Sequence, residues 1–212
     1  MPNAKWIPLL LAGWLLLCLS GFWLLWVYAN TPGRFAQPQI TPVFQTHLKN
    51  ESGNPTLVLF AHPKCPCTRA TMSELERIQA DFKNSFSTLI VFYEPHGAGA
   101  EWRETDLWKR ARTMHQTRTL TDIDGELALA SGATTSGQIA LMDSNGELLF
   151  WGGITSSRGH EGLSLGGIAL QTLLKGQEPI DRRTNVFGCP LLAEAEDMEC
   201  QSEEACCELA DY

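Results

Sequence analysis

The chain has 212 residues, of which 16 are Lys or Arg and 24 are Asp or Glu, so its formal net charge is −8. This length allows one ordinary domain with additional segments, and a composition of 44% hydrophobic and 19% charged residues excludes a wholly disordered or wholly membrane-embedded chain. The acidic balance argues against a nucleic-acid-binding protein, which normally has a clustered basic surface.

The N-terminal segment is long and apolar enough to cross a membrane. Trp6–Tyr28 is a run of 23 residues without a charge. As a helix it would be roughly 35 Å long, against about 30 Å of bilayer hydrocarbon. A cleaved signal peptide is the alternative, but its apolar region has only about 7–15 residues. We therefore predict that residues 1–28 form a transmembrane anchor.

The charges that flank this run indicate its orientation. Lys5 is the only charged side chain before it, and Arg34 is the first after it. This slight positive-inside bias favours a cytoplasmic N-terminus and an exported remainder. Six of the seven cysteines follow the run, which suits an oxidising compartment. We predict a single-pass inner-membrane protein whose main domain is periplasmic.

The middle of the chain has the pattern of an α/β domain. Residues 29–54 combine prolines with polar residues, which predicts an extended linker. Residues 55–189 then alternate apolar strands with helices, with parallel crossovers first and an antiparallel hairpin later. This order predicts a mixed sheet flanked by helices. The predicted strands are Thr56–Ala61, Ser85–Tyr93, Gln138–Met142 and Glu147–Trp151, with one further strand between the second and third helices, and the predicted helices are Thr68–Phe82, Thr105–Met114, Gly125–Ser131 and Leu163–Leu174.

Two residues are predicted to delimit the third of these helices. Asp124 precedes it as an N-cap, because a side-chain oxygen there can accept from the free N–H groups of the first turn. Gly132 follows it as a C-terminal stop, because glycine adopts the left-handed conformation at low cost.

Two thiols stand where the first strand meets the first helix, in the motif HPKCPCTR. Cys65 and Cys67 are predicted at the helix N-terminus, and Lys64 and Arg69 add positive charge. These features lower a thiol pKa, and the thiolate is both the nucleophile and the soft-metal ligand. A structural disulfide or inert buried thiols are the alternative. A one-residue spacing gives a strained ring, which favours a redox switch.

Several segments together resemble the membrane-anchored RedB-like proteins of the thioredoxin superfamily. They are HPKCPC, TDLW, SGQ, GGITSSRGHEG and VFGCPL, spread over residues 55–190. The resemblance implies a thioredoxin-like fold and a redox role, but it brings no assigned reaction. The chain departs from ordinary thioredoxins at two positions. Thr68 matches their second cysteine, and Gly137 stands near the proline expected before the hairpin.

Two more regions carry candidate site residues. In the loop Gly152–His160, a thioredoxin-like layout would bring Arg158 near a thiolate and His160 into an acid–base or metal-ligating position. A solvated surface loop is the alternative. Cys189 is either a third, resolving thiol or the partner in a structural disulfide.

The C-terminal segment, residues 190–212, has eight acidic residues and no Lys or Arg. Such a charge block predicts a solvated, mobile tail. Its cysteines, Cys200, Cys206 and Cys207, are alternatively ligands for a soft metal.

Two functions follow from these features. The first is a thiol–disulfide oxidoreductase without a cofactor, in which Cys65 attacks a disulfide of a protein partner and Cys67 or Cys189 resolves the mixed disulfide. The alternative is a copper-handling module in which Cys65, Cys67 and His160 bind Cu(I).

Overall fold

The computed structural model describes residues 6–34, 36–41, 44 and 53–191. Several sequence predictions concern residues outside these ranges. They are the charge of Lys5, much of the predicted linker, and the predicted mobile tail from residue 192 onward with Cys200, Cys206 and Cys207.

A long apolar helix, α1 (Ile7–Asn30), comes first. It has 24 residues, none of them buried, and in the described part of the chain it is the one helix long and apolar enough to cross a membrane. Side chains satisfy two carbonyl oxygens at its C-terminal end, because Asn30 donates to that of Trp26 and Thr31 donates to that of Val27. By length and composition, α1 fits either a membrane span or a signal anchor.

Residues 53–191 contain, besides a short 3-10 helix at Ala100–Trp102, five strands and four α-helices. They are β1 (Thr56–Ala61), α2 (Pro66–Asp81), β2 (Ser87–Glu94), α3 (Asp106–Thr113), β3 (Thr117–Ile123), α4 (Glu126–Ser131), β4 (Gln138–Met142), β5 (Leu148–Gly152) and α5 (Leu165–Leu174). The spatial order of the strands is β3-β2-β1-β4-β5. The β1–β2 and β2–β3 pairs are parallel, and the β1–β4 and β4–β5 pairs are antiparallel. The predicted thioredoxin-like mixed sheet flanked by helices is confirmed.

The central strand β1 buries all six of its residues, because both faces of the sheet are covered. Successive side chains point to opposite faces. Leu57 and Leu59 pack in a cluster with side chains of α2, α3 and α5. Val58 and Phe60 pack in a second cluster with α4 and Trp151. The carboxyl end of β1 is thereby fixed in the middle of the domain, where the candidate site begins.

Part of residues 29–54, for which we predicted an extended linker, packs on the domain. Phe44 is fully buried, and its ring stacks on Phe60 with centroids 6.0 Å apart. The indole N–H of Trp151 donates to the carbonyl oxygen of Ala36 at 3.2 Å. The reason is burial, because these residues cover the second cluster next to α4.

Hydroxyl caps set the first residue of two helices. Thr105 caps α3 by accepting the backbone N–H of Trp108, and Ser164 caps α5 by accepting that of Gly167. Both helices therefore begin just after the cap, later than predicted.

The side chain that caps α4 is that of Asp122, whereas we predicted Asp124. The carboxylate of Asp122 accepts the backbone N–H groups of Leu127 and Ala128 at 2.8 and 2.9 Å. Asp124 instead accepts the N–H of His96. Asp122, which is buried near the end of β3, thus caps the helix that follows this strand.

Candidate functional site

The candidate site lies where β1 ends and α2 begins. Cys65 is the N-cap residue of α2, with extended backbone, and Pro66 and Cys67 are its first two helical residues. Proline suits this position because its missing N–H would have no helical partner. The N–H of Cys65 donates to the carbonyl oxygen of His62 at 3.1 Å and closes the turn. Two thiols therefore stand at the N-terminus of a helix.

A third thiol, that of Cys189, joins them. The Sγ atoms of Cys65 and Cys189 are 3.2 Å apart, and the Sγ atoms of Cys65, Cys67 and Cys189 all lie within 4.8 Å of one another. We call these three residues the thiol cluster. Cys65 and Cys67 are 2% and 5% exposed, whereas Cys189 is only partly buried. The structure thus brings Cys189 to Cys65 as a free thiol.

Backbone pairing places Cys189 there. The N–H of Ser136 donates to the carbonyl oxygen of Cys189 at 2.8 Å, and the N–H of Leu191 donates to the carbonyl oxygen of Thr134 at 2.9 Å. We call residues 188–191 the cysteine segment. It lies antiparallel to the residues that precede β4, and buried Leu191 fixes its far end.

Gly188 permits this close pairing, since a Cβ at that position would lie 1.8 Å from the carbonyl oxygen of Ser136. We therefore expect Gly188→Ala to displace the cysteine segment. The rate of Cys65–Cys189 disulfide formation should fall by roughly 100-fold, the usual effect of an ångström-scale misplacement of a reacting group. Alkylation of acid-quenched samples followed by mass spectrometry measures this rate.

Gly176→Ala is the matched control. Gly176 has a φ of +72° and open space around it, so the substitution should cost about 1–2 kcal/mol of stability through backbone strain. It should leave the disulfide rate unchanged. A Gly188→Ala protein that closes its disulfide as fast as wild type would contradict the role given to the cysteine segment.

The three thiols of the cluster bind their protons unequally. Hydrogen bonds from the thiols of Cys189 and then Cys67 stabilise the Cys65 thiolate and hold the pKa of Cys65 far below the ordinary thiol value. The pKa of Cys67 is raised by its hydrogen bonds with Cys189 and Cys65. The pKa of Cys189 is also raised, chiefly by its hydrogen bond with Cys65. Cys65 is therefore the thiolate of the cluster.

The two cations that were expected to acidify the thiols have other contacts. The ammonium of Lys64 lies over the ring of Trp102, 4.1 Å from its centroid. The guanidinium of Arg69 forms an exposed ion pair with Asp106. The low pKa of Cys65 comes mainly from its hydrogen bonds with Cys189 and Cys67. Lys64 and Arg69, which we predicted to acidify the thiols, are not among its main causes.

Arg158 connects the end of α1 to the cysteine segment. Its guanidinium donates to the carbonyl oxygen of Gly188, and its Cζ lies 4.9 Å from the ring centroid of Tyr28. Its backbone N–H donates to the carbonyl oxygen of Ala29 at 2.9 Å. The positive charge of Arg158 lowers the pKa of Cys189 against the stronger effect of the Cys65 hydrogen bond. Arg158 is thus a positioning residue for Cys189.

Arg158→Gln is expected to raise the pKa of Cys189 further, because the favourable charge is lost while a hydrogen-bond donor remains. The pH at which Cys189 becomes reactive toward an alkylating reagent should move upward. Arg158→Lys, which keeps the positive charge, should raise the pKa of Cys189 less than Arg158→Gln does. If Arg158→Gln lowers the thermal midpoint but leaves the pH profile of Cys189 unchanged, Arg158 has only a structural role.

The histidines near the motif differ in their positions. His160 is exposed, and its Nδ1 lies 3.1 Å from the carbonyl oxygen of Arg158. Among the described residues, the group of potential ligand atoms within 4.8 Å contains the three cysteines and no histidine. His62 stacks on Tyr93, and burial lowers its pKa. The structure therefore brings Arg158, but not His160, to the thiol cluster.

The hydroxyl groups of Ser136 and Thr68 join the turn before α2 to the residues before β4. The hydroxyl oxygen of Ser136 accepts the backbone N–H of His62 at 2.8 Å and lies 2.6 Å from that of Thr68. Gly137 has a φ of +96°, and its N–H, which a proline would lack, donates to the carbonyl oxygen of Phe60. Ser136 was not singled out from the sequence, in which its position within SGQ is the only signal.

Comparison with known proteins supports the fold. No protein-family profile matches this sequence, and no curated protein is significantly similar to it. A hypothetical protein from Sinorhizobium meliloti 1021 superposes with a TM-score of 0.54 and 18% identity, over 79% of this chain and 95% of that chain. An uncharacterized conserved protein from Geobacillus kaustophilus gives 0.55 and 20%, over 78% and 94%.

A secreted disulfide oxidoreductase from Mycobacterium tuberculosis is more distant, with a TM-score of 0.40 and 11% identity over 67% of this chain and 95% of that chain. The Sinorhizobium and Geobacillus proteins show a shared fold and no shared reaction.

Proposed function

We propose that this protein is a membrane-anchored thiol–disulfide redox protein related to the RedB-like group, and that Cys65 and Cys189 form its redox couple. The observation that carries the proposal is the 3.2 Å contact between their Sγ atoms. The lowered pKa of Cys65 supports it, because a thiolate beside a protonated thiol is the arrangement from which a disulfide is readily made.

When Cys65 and Cys189 close their disulfide, a disulfide of the protein partner takes up the two electrons; because Cys65 is already a thiolate, only Cys189 gives up a proton. In the reverse direction, the thiolate of a protein partner attacks the Sγ of Cys189, which is the more exposed sulfur. Cys65 leaves as its stabilised thiolate, and a low-pKa thiol leaves fast. A second thiol of the partner then displaces Cys189, so the partner departs as a disulfide and this protein is left as a dithiol.

Cys67, the other resolving thiol that the sequence offered, has a supporting role in this scheme. Its Sγ lies within 4.8 Å of that of Cys65, but a disulfide across one residue would be strained. Cys67 instead donates a hydrogen bond that stabilises the Cys65 thiolate. Cys189 is therefore the preferred partner of Cys65.

A glutathione titration of the reduced full chain in detergent tests this function. We expect one two-electron transition that is lost in Cys65→Ser and in Cys189→Ser and kept in Cys18→Ser, whose thiol belongs to α1. Thiols that remain reduced across the whole range of glutathione buffers would reject the proposed couple.

We further propose that α1 is a membrane anchor with a cytoplasmic N-terminus, followed by a periplasmic domain. Arg158 contacts Tyr28 and Ala29 at the carboxyl end of α1. The thiol cluster would then lie near the membrane surface, which favours a membrane-bound thiol protein as the partner.

Protease added to intact spheroplasts tests this topology. We expect it to digest the domain after α1 while a cytoplasmic marker stays intact, because the domain is exposed on the outer side. A domain that is digested only after the membrane is lysed would contradict the orientation.

A further inference from the structure

The thiol cluster also has the composition and size of a metal site. Its three sulfurs come from two segments that the fold brings together, since Cys65 and Cys189 are 124 positions apart. All three Sγ atoms lie within 4.8 Å of one another. A metal with three thiolate ligands at about 2.3 Å needs sulfurs about 4.0 Å apart. Closing the cluster around one ion therefore needs shifts of about 1 Å or less.

The donor set selects the ion. Three sulfurs without oxygen or nitrogen favour a soft cation, and Cu(I) is the common soft ion for thiolates. Zinc prefers four ligands. Within the described ranges, however, no histidine or carboxylate joins the cluster. Cys65 and Cys67 are almost fully buried, so the protein also leaves little room for water as a fourth ligand on their side.

Positive charge is available to balance the thiolates. Three thiolates around one Cu(I) carry a net charge of −2. The guanidinium of Arg158 donates to the carbonyl oxygen of Gly188, the residue next to Cys189, and so brings one positive charge to the cysteine segment. The Nε of Arg158 is buried without a hydrogen-bond partner among the described residues. An anionic metal–thiolate group beside Gly188 would balance the charge of this guanidinium.

We propose that the fully reduced protein binds one Cu(I) ion through the Sγ atoms of Cys65, Cys67 and Cys189. This inference goes beyond the redox couple, because it concerns all three thiols in their reduced state. It also replaces the ligand set that the sequence suggested, in which His160 stood where the structure has Cys189. Binding releases the protons of the ligating thiols, and disulfide formation removes the site.

A competition titration tests the site. The full chain, with Cys18, Cys200, Cys206 and Cys207 replaced by serine, is reduced in detergent without oxygen and titrated with Cu(I) against bicinchoninate. We expect one Cu(I) per chain. Replacing any one of the three ligands by serine should weaken binding by more than about 100-fold, beyond the loss usual for an outer-shell residue. His160→Ala should bind as before, and Zn(II) should not displace Cu(I).

The oxidised form of the same chain is a control without a substitution. It should bind no Cu(I), because its Cys65–Cys189 disulfide removes two ligands, and this comparison holds even if a serine variant fails to fold. No competition by the reduced chain, or unchanged affinity in Cys189→Ser, would overturn the inference. Loss of copper binding with an intact glutathione transition would leave the redox proposal standing. Copper binding without that transition would reject the redox proposal alone.

Discussion

Replacing Cys65 by serine is expected to lower the rate of thiol–disulfide exchange at least about 1,000-fold, as for loss of an enzyme nucleophile. Of the three thiols in the cluster, Cys65 is the one whose pKa is lowered. Its removal takes away both the attacking thiolate and the best leaving group. Reduction of a disulfide-linked peptide by the reduced full chain in detergent measures the rate.

Cys18→Ser is the matched control for this variant, because it removes a thiol from α1 and leaves the cluster intact. It should react at the wild-type rate. If Cys65→Ser keeps more than about a tenth of the wild-type rate, another thiol is the nucleophile and the assignment of Cys65 fails.

Replacing Cys189 by alanine is expected to raise the pKa of Cys65 toward that of a free thiol, about 8.5. The hydrogen bond with Cys189 is the largest cause of the lowered pKa, and the hydrogen bond with Cys67 is second. Cys67→Ala should therefore raise the pKa of Cys65 less. The ultraviolet absorbance of the thiolate, followed against pH, gives both values.

The lowered pKa of Cys65 determines how the rate of thiol–disulfide exchange depends on pH. In the wild type, Cys65 stays ionised well below the pKa of a free thiol, so lowering the pH from neutral to mildly acidic should change the exchange rate little. Cys189→Ala can still form a mixed disulfide through Cys65, but its thiolate fraction falls over that range, and the rate of this first attack should fall with it. A wild-type rate with the pH dependence of a free thiol would contradict the predicted ionisation of Cys65.

Much of the fold could be predicted because the pattern of side chains reports burial directly. The bounds of the strand Thr56–Ala61 could be predicted, since every residue after Thr56 is apolar and both faces of the sheet are covered there. The contact of Phe44 with Phe60 was missed, because a segment rich in prolines and polar residues has no periodicity that indicates packing. The Asp122 cap was missed because it comes from the preceding strand.

The candidate site could be predicted only in part, for a similar reason. Cys65 and Cys67 are local to one turn, and spacing alone places them at a helix N-terminus. The position of Cys189 depends on pairing between the cysteine segment and residues more than fifty positions earlier. No local pattern encodes that contact, so sequence reasoning left Cys189 open and gave the ligand position to His160.

Disulfide mapping of the oxidised full chain is the most direct test of the redox couple. The protein is equilibrated in an oxidising glutathione buffer, quenched with acid, alkylated and digested, and its linked peptides are identified by mass spectrometry. The structure predicts a peptide pair joined through Cys65 and Cys189, with Cys67 alkylated. A Cys65–Cys67 bond, or an oxidised protein in which Cys189 is alkylated, would contradict it.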